Sequence, residues 1–383
     1  MDKLKDSVFK LEKYILSEEY RGYDPYDSLM SPLFRIPVLK SVKLFRFGFQ
    51  QVYRRIPFNT RGILGIKKGL NPVTLGLCIQ AYTYLSFITP EKKDFYCSEI
   101  EKLINILIGL KSTGFSGICW GYDFDWEARY AKIPAYYPTV VATGIITNSL
   151  FINYKLLNNK KSFDLCSDAV NFVIKDLNKS YDGENFCYSY SPNDSQKVFN
   201  ASMKGARLLS QVYSVTGDEN LYIEAKKAID YVLDNQKENG SWSYSKGDAR
   251  KWVDNFHTGY VLDALDDFIK YSGCEKYSEY LEKGFRFYEN NFFQDNSIPK
   301  YYQNKLYPID TTAVAQSVMT LARFGKTDSA IRVAVWGIEN MSHPEGYFYF
   351  QKKKLYTNRI SYMRWVNAWM FAALSNLIYT LKS

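Results

Sequence analysis

Two histidines, His257 and His343, are all that 383 residues contain, and the shortage excludes any function built on a histidine-rich metal centre. The six cysteines (Cys78, Cys97, Cys119, Cys166, Cys187 and Cys274) are scattered without a CxxC pair. Neither a zinc site nor a disulfide framework is expected, and they read as small buried thiols of a reducing compartment. The opening MDKLKDSVFK is charged and no apolar stretch follows it, so no secretory leader is legible. No run reaches the roughly 18 apolar residues of a membrane span. These absences together point to a cytoplasmic chain. Acidic residues are missing altogether between positions 35 and 68, where Arg35, Lys40, Lys43, Arg46, Arg54, Arg55, Arg61, Lys67 and Lys68 interleave with Ile36, Val38, Leu39, Val42, Leu44, Phe45, Phe47, Phe49 and Val52. A basic segment with an apolar face lies on an anionic membrane surface or forms an ordinary helix with a solvated side. No recognition motif accompanies the charge, so nucleic acid is not an expected partner despite the net +9.

What is abundant is aromatic: 33 Tyr and 25 Phe. Tyrosine joins a flat apolar face to a polar tip, which suits helix packing and equally suits stacking against a sugar ring. Apolar residues at helical spacing mark segments 73–87, 95–110, 139–157, 163–177, 198–215, 221–235, 257–271, 277–292, 311–324, 329–341 and 364–381. They come in pairs with short connections inside a pair and long aromatic loops between pairs. First helices recur every 53–59 residues, the signature of an array of helical hairpins. Five hairpins are complete, and the helix at 364–381 needs a partner. The basic amphipathic segment 28–70 is available to supply it and so complete a sixth hairpin. The prediction is one all-α domain over 1–383, an (α/α)6 toroid with short β-hairpins in the long loops, all of which fall at one end.

The loops carry the chemistry. The first, GFSGICWGYDFDWEARYAKIPAYYP (114–138), sets Asp123, Asp125 and Glu127 among Trp120, Tyr122, Trp126 and Arg129. As a calcium loop it lacks the glycine and the second half of the motif, and no metal or other cofactor is expected. The second loop contributes Tyr188 and Tyr190, with Asn200 just beyond it. The third holds Trp242, Tyr244, Arg250, Lys251, Trp252, Asp254 and His257. Asp254 and His257 are three apart at a helix start, so the carboxylate can cap the helix or fix the imidazole in one tautomer. The fourth brings Lys300, Tyr301, Tyr302, Tyr307 and Asp310, and Asp310 also suits a helix cap. The fifth adds Arg359, Arg364 and Trp365, with YFYFQ and KLYTN as two strands of a hairpin. Carboxylates and stacking rings on one rim fit glycosidic acid/base chemistry, with Asp123 or Asp125 paired with Asp254. The basic rim residues suggest an anionic ligand such as a uronic acid or a phosphorylated sugar.

The segments GFSGICWGYDFDW, CYSYSP, GSWSYSKGDARKWVDNFHTGY, PKYYQNKLYPID and MRWVNAWMF resemble proteins of bacterial exopolysaccharide and capsule gene sets similar to the VpsJ polysaccharide biosynthesis protein. That group sits among the six-hairpin glycosidase-like toroids. The resemblance implies a cytoplasmic role in surface-polysaccharide assembly on an oligosaccharide or polysaccharide precursor, acidic or lipid-linked. A second resemblance, of KAIDYVLDNQKENGSW (227–242) to the QW repeat of triterpene cyclases, implies an isoprenoid cyclase or prenyltransferase, but DFDW lacks the last Asp of the DxDD motif. Four readings therefore stand: glycosidase-like hydrolysis, uronosyl C5-epimerisation or elimination with Tyr188, Tyr302, Tyr307 or His as acid and base, a non-catalytic glycan-binding scaffold, and the cyclase.

Overall fold

The computed structural model describes residues 1–382, the Lys40 side chain excepted. Its helices are α1 (Asp2–Ser17), α2 (Pro37–Ser41), α3 (Lys43–Tyr53), α4 (Pro72–Ile88), α5 (Lys93–Gly109), α6 (Val140–Leu157), α7 (Lys160–Lys175), α8 (Phe199–Thr216), α9 (Glu219–Leu233), α10 (Asn255–Ser272), α11 (Ser278–Asn291), α12 (Thr311–Arg323), α13 (Thr327–Met341) and α14 (Trp369–Thr380). A π-helical turn, Met363–Ala368, leads into α14.

The sequence explains where these helices begin and end. Side chains of Asn71, Thr139, Asp254 and Asp310 each accept a backbone N–H in the first turn of α4, α6, α10 and α12, satisfying donors that a helix start leaves free. Gly217 and Gly273 close α8 and α10 in the left-handed conformation that glycine adopts without strain.

Burial then sorts the helices into two layers. α4, α6, α8, α10, α12 and α14 are buried almost all round, and each packs on the next until α14 returns to α4. The other layer, α5, α7, α9, α11, α13 and α1, shows water one face and covers this ring. The architecture is the (α/α)6 toroid that the repeat spacing predicts. α6, at 18 residues with a mean hydropathy of 1.3, is long and apolar enough to cross a bilayer, which the sequence reading did not anticipate. It lies instead between α4 and α8, with 67% of it buried.

The sixth hairpin differs from expectation. α1 packs on α14 and α13 and buries Leu4, Val8, Leu11 and Ile15, taking the place proposed for segment 28–70. Spacing alone did not favour α1, because its apolar stripe is narrow and its other faces are charged. Segment 28–70 forms short helices over the loop end, where α3 contacts the strand Trp126–Glu127. Of the anticipated 347–358 hairpin, Gln351–Lys352 pairs with Thr357–Asn358, and Ile309–Asp310 adds a third strand.

Close approach inside the ring depends on small residues. A Cβ on Gly144 of α6 would lie 2.7 Å from the Cβ of Lys204 on α8. Alanine ordinarily stabilises a helix by about 1 kcal/mol over glycine, but overpacking costs about 1–3 kcal/mol. Gly144→Ala is therefore expected to lower the thermal unfolding midpoint, and an unchanged or raised midpoint would show that the two helices can separate freely.

Candidate active site

Each inner helix starts from a long loop, so six helix N-termini converge at one end of the ring. Each terminus carries about half a positive charge, giving that end an electropositive floor. A cleft of about 300 Å³ opens there, at the lower end of the ~300–1,000 Å³ common for small-molecule pockets. Ile145, Tyr260 and Trp369 lie at its base and also touch a second polar cavity at the opposite end of the ring.

The walls are aromatic. Trp252 stacks on Tyr244 with centroids 5.0 Å apart, and Tyr26 meets Trp126 and Trp365 edge-on at 5.9 and 5.4 Å. The Tyr122 and Tyr190 hydroxyls lie 3.1 Å apart. Burial pushes the phenols of Tyr190, Tyr260 and Tyr301 well above their ordinary range, and Tyr122 and Tyr244 move the same way. These groups stay protonated at neutral pH.

His257 occupies the wall beside Tyr244, its ring centroid 4.7 Å away. Its Nδ1 is 2.7 Å from Asp254 Oδ2, which also accepts from Trp252 Nε1 at 3.1 Å. Asp254 Oδ1 accepts from the His257 backbone N–H at 3.0 Å. Both expectations for Asp254 therefore hold at once: the buried carboxylate caps α10 and braces the imidazole. With Nδ1 donating to Asp254, the lone pair of the histidine resides on Nε2, the arrangement a general base requires.

Charged groups on the cleft are mostly basic. Arg364 is held by Asp24 through two bonds of 2.6 and 2.9 Å, and Arg250 pairs with Asp248. Arg54 donates to the Tyr26 hydroxyl. Among the described residues, neither Arg54 nor Arg129 has a carboxylate within 4 Å. Glu127 is the only acid among the lining residues, and it is buried against Arg46 at 2.6 Å. No group of three or more His, Cys, Asp or Glu side chains gathers as for a metal ion among the described residues.

Of the residues singled out in the sequence, Tyr122, Trp126, Arg129, Tyr190, Trp252, His257, Tyr302, Arg364 and Trp365 line the cleft. Others do not. Asp123 turns aside to Asn71, whose Nδ2 donates to it at 2.5 Å, and Asp125 is exposed and accepts from Ala135 N–H. The structure thus does not bring either acid together with Asp254 on the cleft. Trp120 and Trp242 are core residues whose indoles donate to the carbonyls of Leu107 and Val232. Tyr188 donates to Glu224, Lys300 to the Gln303 carbonyl, and Arg359 lies over Tyr349. Tyr307 stays off the cleft, and Asp310 caps α12 behind Trp365. Glu127, the third acid the sequence offers in that loop, also lines the cleft. Sequence reading missed Tyr26 and Arg54, which lay in stretches read as loop and surface.

The chain matches no family model and no curated protein. Solved structures do resemble it. A cellobiose 2-epimerase from Bacillus thermoamylovorans B4167 superposes with a TM-score of 0.63 at 14% identity, over 82% of this chain and 88% of that one. A sugar epimerase from a ruminal bacterium gives 0.64 at 11%, over 83% and 90%. A GH76 α-mannanase from Bacteroides thetaiotaomicron gives 0.57 at 13%, over 81% and 87%. What is shared is the fold. It is the (α/α)6 toroid of helical hairpins.

Asp123 supplies a test of the loop packing. Burial, reinforced by nearby Asp24, pushes its carboxyl from 3.8 up to about 6. An acid bound more tightly to its proton in the folded state loses stability as pH rises between these values. The midpoint of unfolding should therefore fall from pH 4 to 6.5 by less in Asp123→Asn than in the wild type. Parallel profiles would place the Asp123 carboxyl in water.

Proposed function

We propose that the cleft binds a sugar, preferably an acidic one, and inverts or eliminates at a ring carbon by proton abstraction. The observation that carries this reading is His257, braced by a buried carboxylate on a wall with no free acid. Hydrolysis needs a proton donor and a second carboxylate flanking the scissile bond, whereas the acids offered for that role, Asp123 and Asp125, stay off the cleft. Abstraction next to a carbonyl or carboxylate needs one base, cations to hold the charge that develops, and an acid to return the proton.

In this mechanism His257 Nε2 takes the proton and becomes an imidazolium stabilised by Asp254. The electron pair passes into the neighbouring carbonyl or carboxylate, where Arg54, Arg129 and the helix N-termini stabilise it. Return of a proton from Tyr122 or Tyr190 to the other face gives the epimer; departure of a leaving group from the next carbon gives elimination. Trp252 and Trp365 offer faces for the sugar ring. The names of two structural neighbours, cellobiose 2-epimerase and sugar epimerase, support proton-transfer chemistry on this fold. The sequence resemblance supports a precursor of a bacterial surface polysaccharide as substrate and the cytoplasm as the place of action.

Incubation of the protein with neutral and uronic-acid oligosaccharides in D2O, followed by proton NMR, tests this. Exchange of deuterium into one ring position is expected, with loss of that signal in His257→Gln. Appearance of new reducing ends without exchange would overturn epimerisation in favour of hydrolysis. Asparagine caps a helix about as well as aspartate, so Asp254→Asn should keep the fold while lowering kcat by about 10²–10⁴. A variant with unchanged kcat would leave Asp254 a helix cap alone.

A further inference from the structure

α3 is built inside out. It buries Arg46, Gln50 and Tyr53 against the protein and turns Leu44, Phe45 and Val52 to water, Leu44 being 76% exposed. Helices on protein surfaces normally do the reverse. Phe58 and Ile63 continue the apolar surface, Ile63 with 87% exposure. Single exposed apolar side chains are ordinary, but a run of them on a helix that buries Arg46 and Gln50 implies an apolar medium outside.

The bases of the same segment divide in two. Arg46, Arg61 and Lys68 pair with Glu127, Asp27 and Glu18. Arg35, Lys43, Arg55 and Lys67 are exposed and, among the described residues, have no carboxylate within 4 Å. A second, distant segment joins them. The strand pair Gln351–Lys352 and Thr357–Asn358 carries at its tip Lys354 and Leu355, the latter 91% exposed. It docks on the first through a hydrogen bond of 3.4 Å from Asn358 Nδ2 to the Ile56 carbonyl, and Arg54, Arg55 and Lys353 line one hollow. Two parts of the chain about 300 positions apart thus present the same mixture of exposed cations without a carboxylate partner and exposed apolar side chains.

We propose that this face, formed by 35–67 and the 352–356 tip, docks on an anionic lipid bilayer and so brings the cleft mouth to the headgroups. Cations meet lipid phosphates while Leu44, Phe45, Ile63 and Leu355 enter the acyl boundary. A second copy of the chain is disfavoured as occupant, because it would set these cations against one another. The other side of α3 supplies Phe47 and Gln51 to the cleft, with Arg54 just past its end, so the docked helix separates membrane from site by its own width. The inference is independent of the reaction, but a sugar carried on a lipid would then reach the cleft without leaving the bilayer.

Co-sedimentation with vesicles of phosphatidylcholine alone, or with 30 mole per cent phosphatidylglycerol (roughly the range of anionic bilayers), tests the proposal on the full chain. Binding to the anionic vesicles only, weakened by salt, is expected. Each basic residue near such a surface contributes about fivefold, equivalent to about 1 kcal/mol, so Arg55→Gln with Lys354→Gln should weaken partitioning about 25-fold. Leu44→Ser with Phe45→Ser should weaken it as well, and because all four side chains are exposed their circular dichroism should match the wild type. No vesicle binding, equal binding to both compositions, or full retention by both double variants would overturn it. So would dimerisation in sedimentation velocity that the apolar pair of substitutions abolishes, since the face would then be an interface between copies.

Discussion

The structure depends on closure of six inner helices into a ring. A helix buried on every side has no water to satisfy its polar side chains, and several of them find partners on a neighbouring helix. Asn153 of α6 bridges Thr83 of α4 and Ser162 of α7, and Gln316 of α12 donates to Asp263 of α10 at 2.7 Å. Such bonds fix the rotation of each helix as well as its neighbours. Because inner and outer helices alternate along the chain, all six inner N-termini face one end, and the sign of the field in the cleft follows from the ring without any loop residue.

The loops add chemistry to that field, and buried ion pairs hold them in register. Asp24 with Arg364 and Asp27 with Arg61 join the first loop of the chain to the segment before α14 and to the basic stretch. Buried pairs gain little net stability against apolar replacements, but losing one partner strands a charge and costs about 3–5 kcal/mol. Their effect here is positional. Arg364 is held with its guanidinium 4.8 Å from the Tyr122 ring centroid and 5.1 Å from that of Trp365, so one pair orders rings from two walls.

The helical array was legible because apolar periodicity is strong and the cap residues Asn71, Thr139, Asp254 and Asp310 stand where physical chemistry wants them. Asp254–His257 was legible for the same reason: in a helix, spacing determines which side chains meet. The acids of DFDWE were not, since alternation in an irregular loop says nothing about direction, and Asp123, Asp125 and Glu127 face a helix start, solvent and the cleft respectively. Segment 28–70 was misplaced because its amphipathic pattern looked like that of a core helix, whereas α3 turns its apolar side outward. Tyr26 and Arg54 reach the site only through long-range folding of the first loop over the rim, which no local pattern reports.

The pairing of α1 with α14 has a consequence for how the protein is made. Five hairpins join helices that are neighbours in the chain, and each can form as soon as its second helix leaves the ribosome. The sixth joins the first long helix to the last, with everything between Ser17 and Trp369 synthesised in the interval. At roughly 5–20 residues per second, the stripe of Leu4, Val8, Leu11 and Ile15 waits on the order of tens of seconds for its partner. Until then the nascent chain is an open row of hairpins with bare apolar edges at both ends, a substrate for chaperones, and it becomes a ring only when α14 arrives.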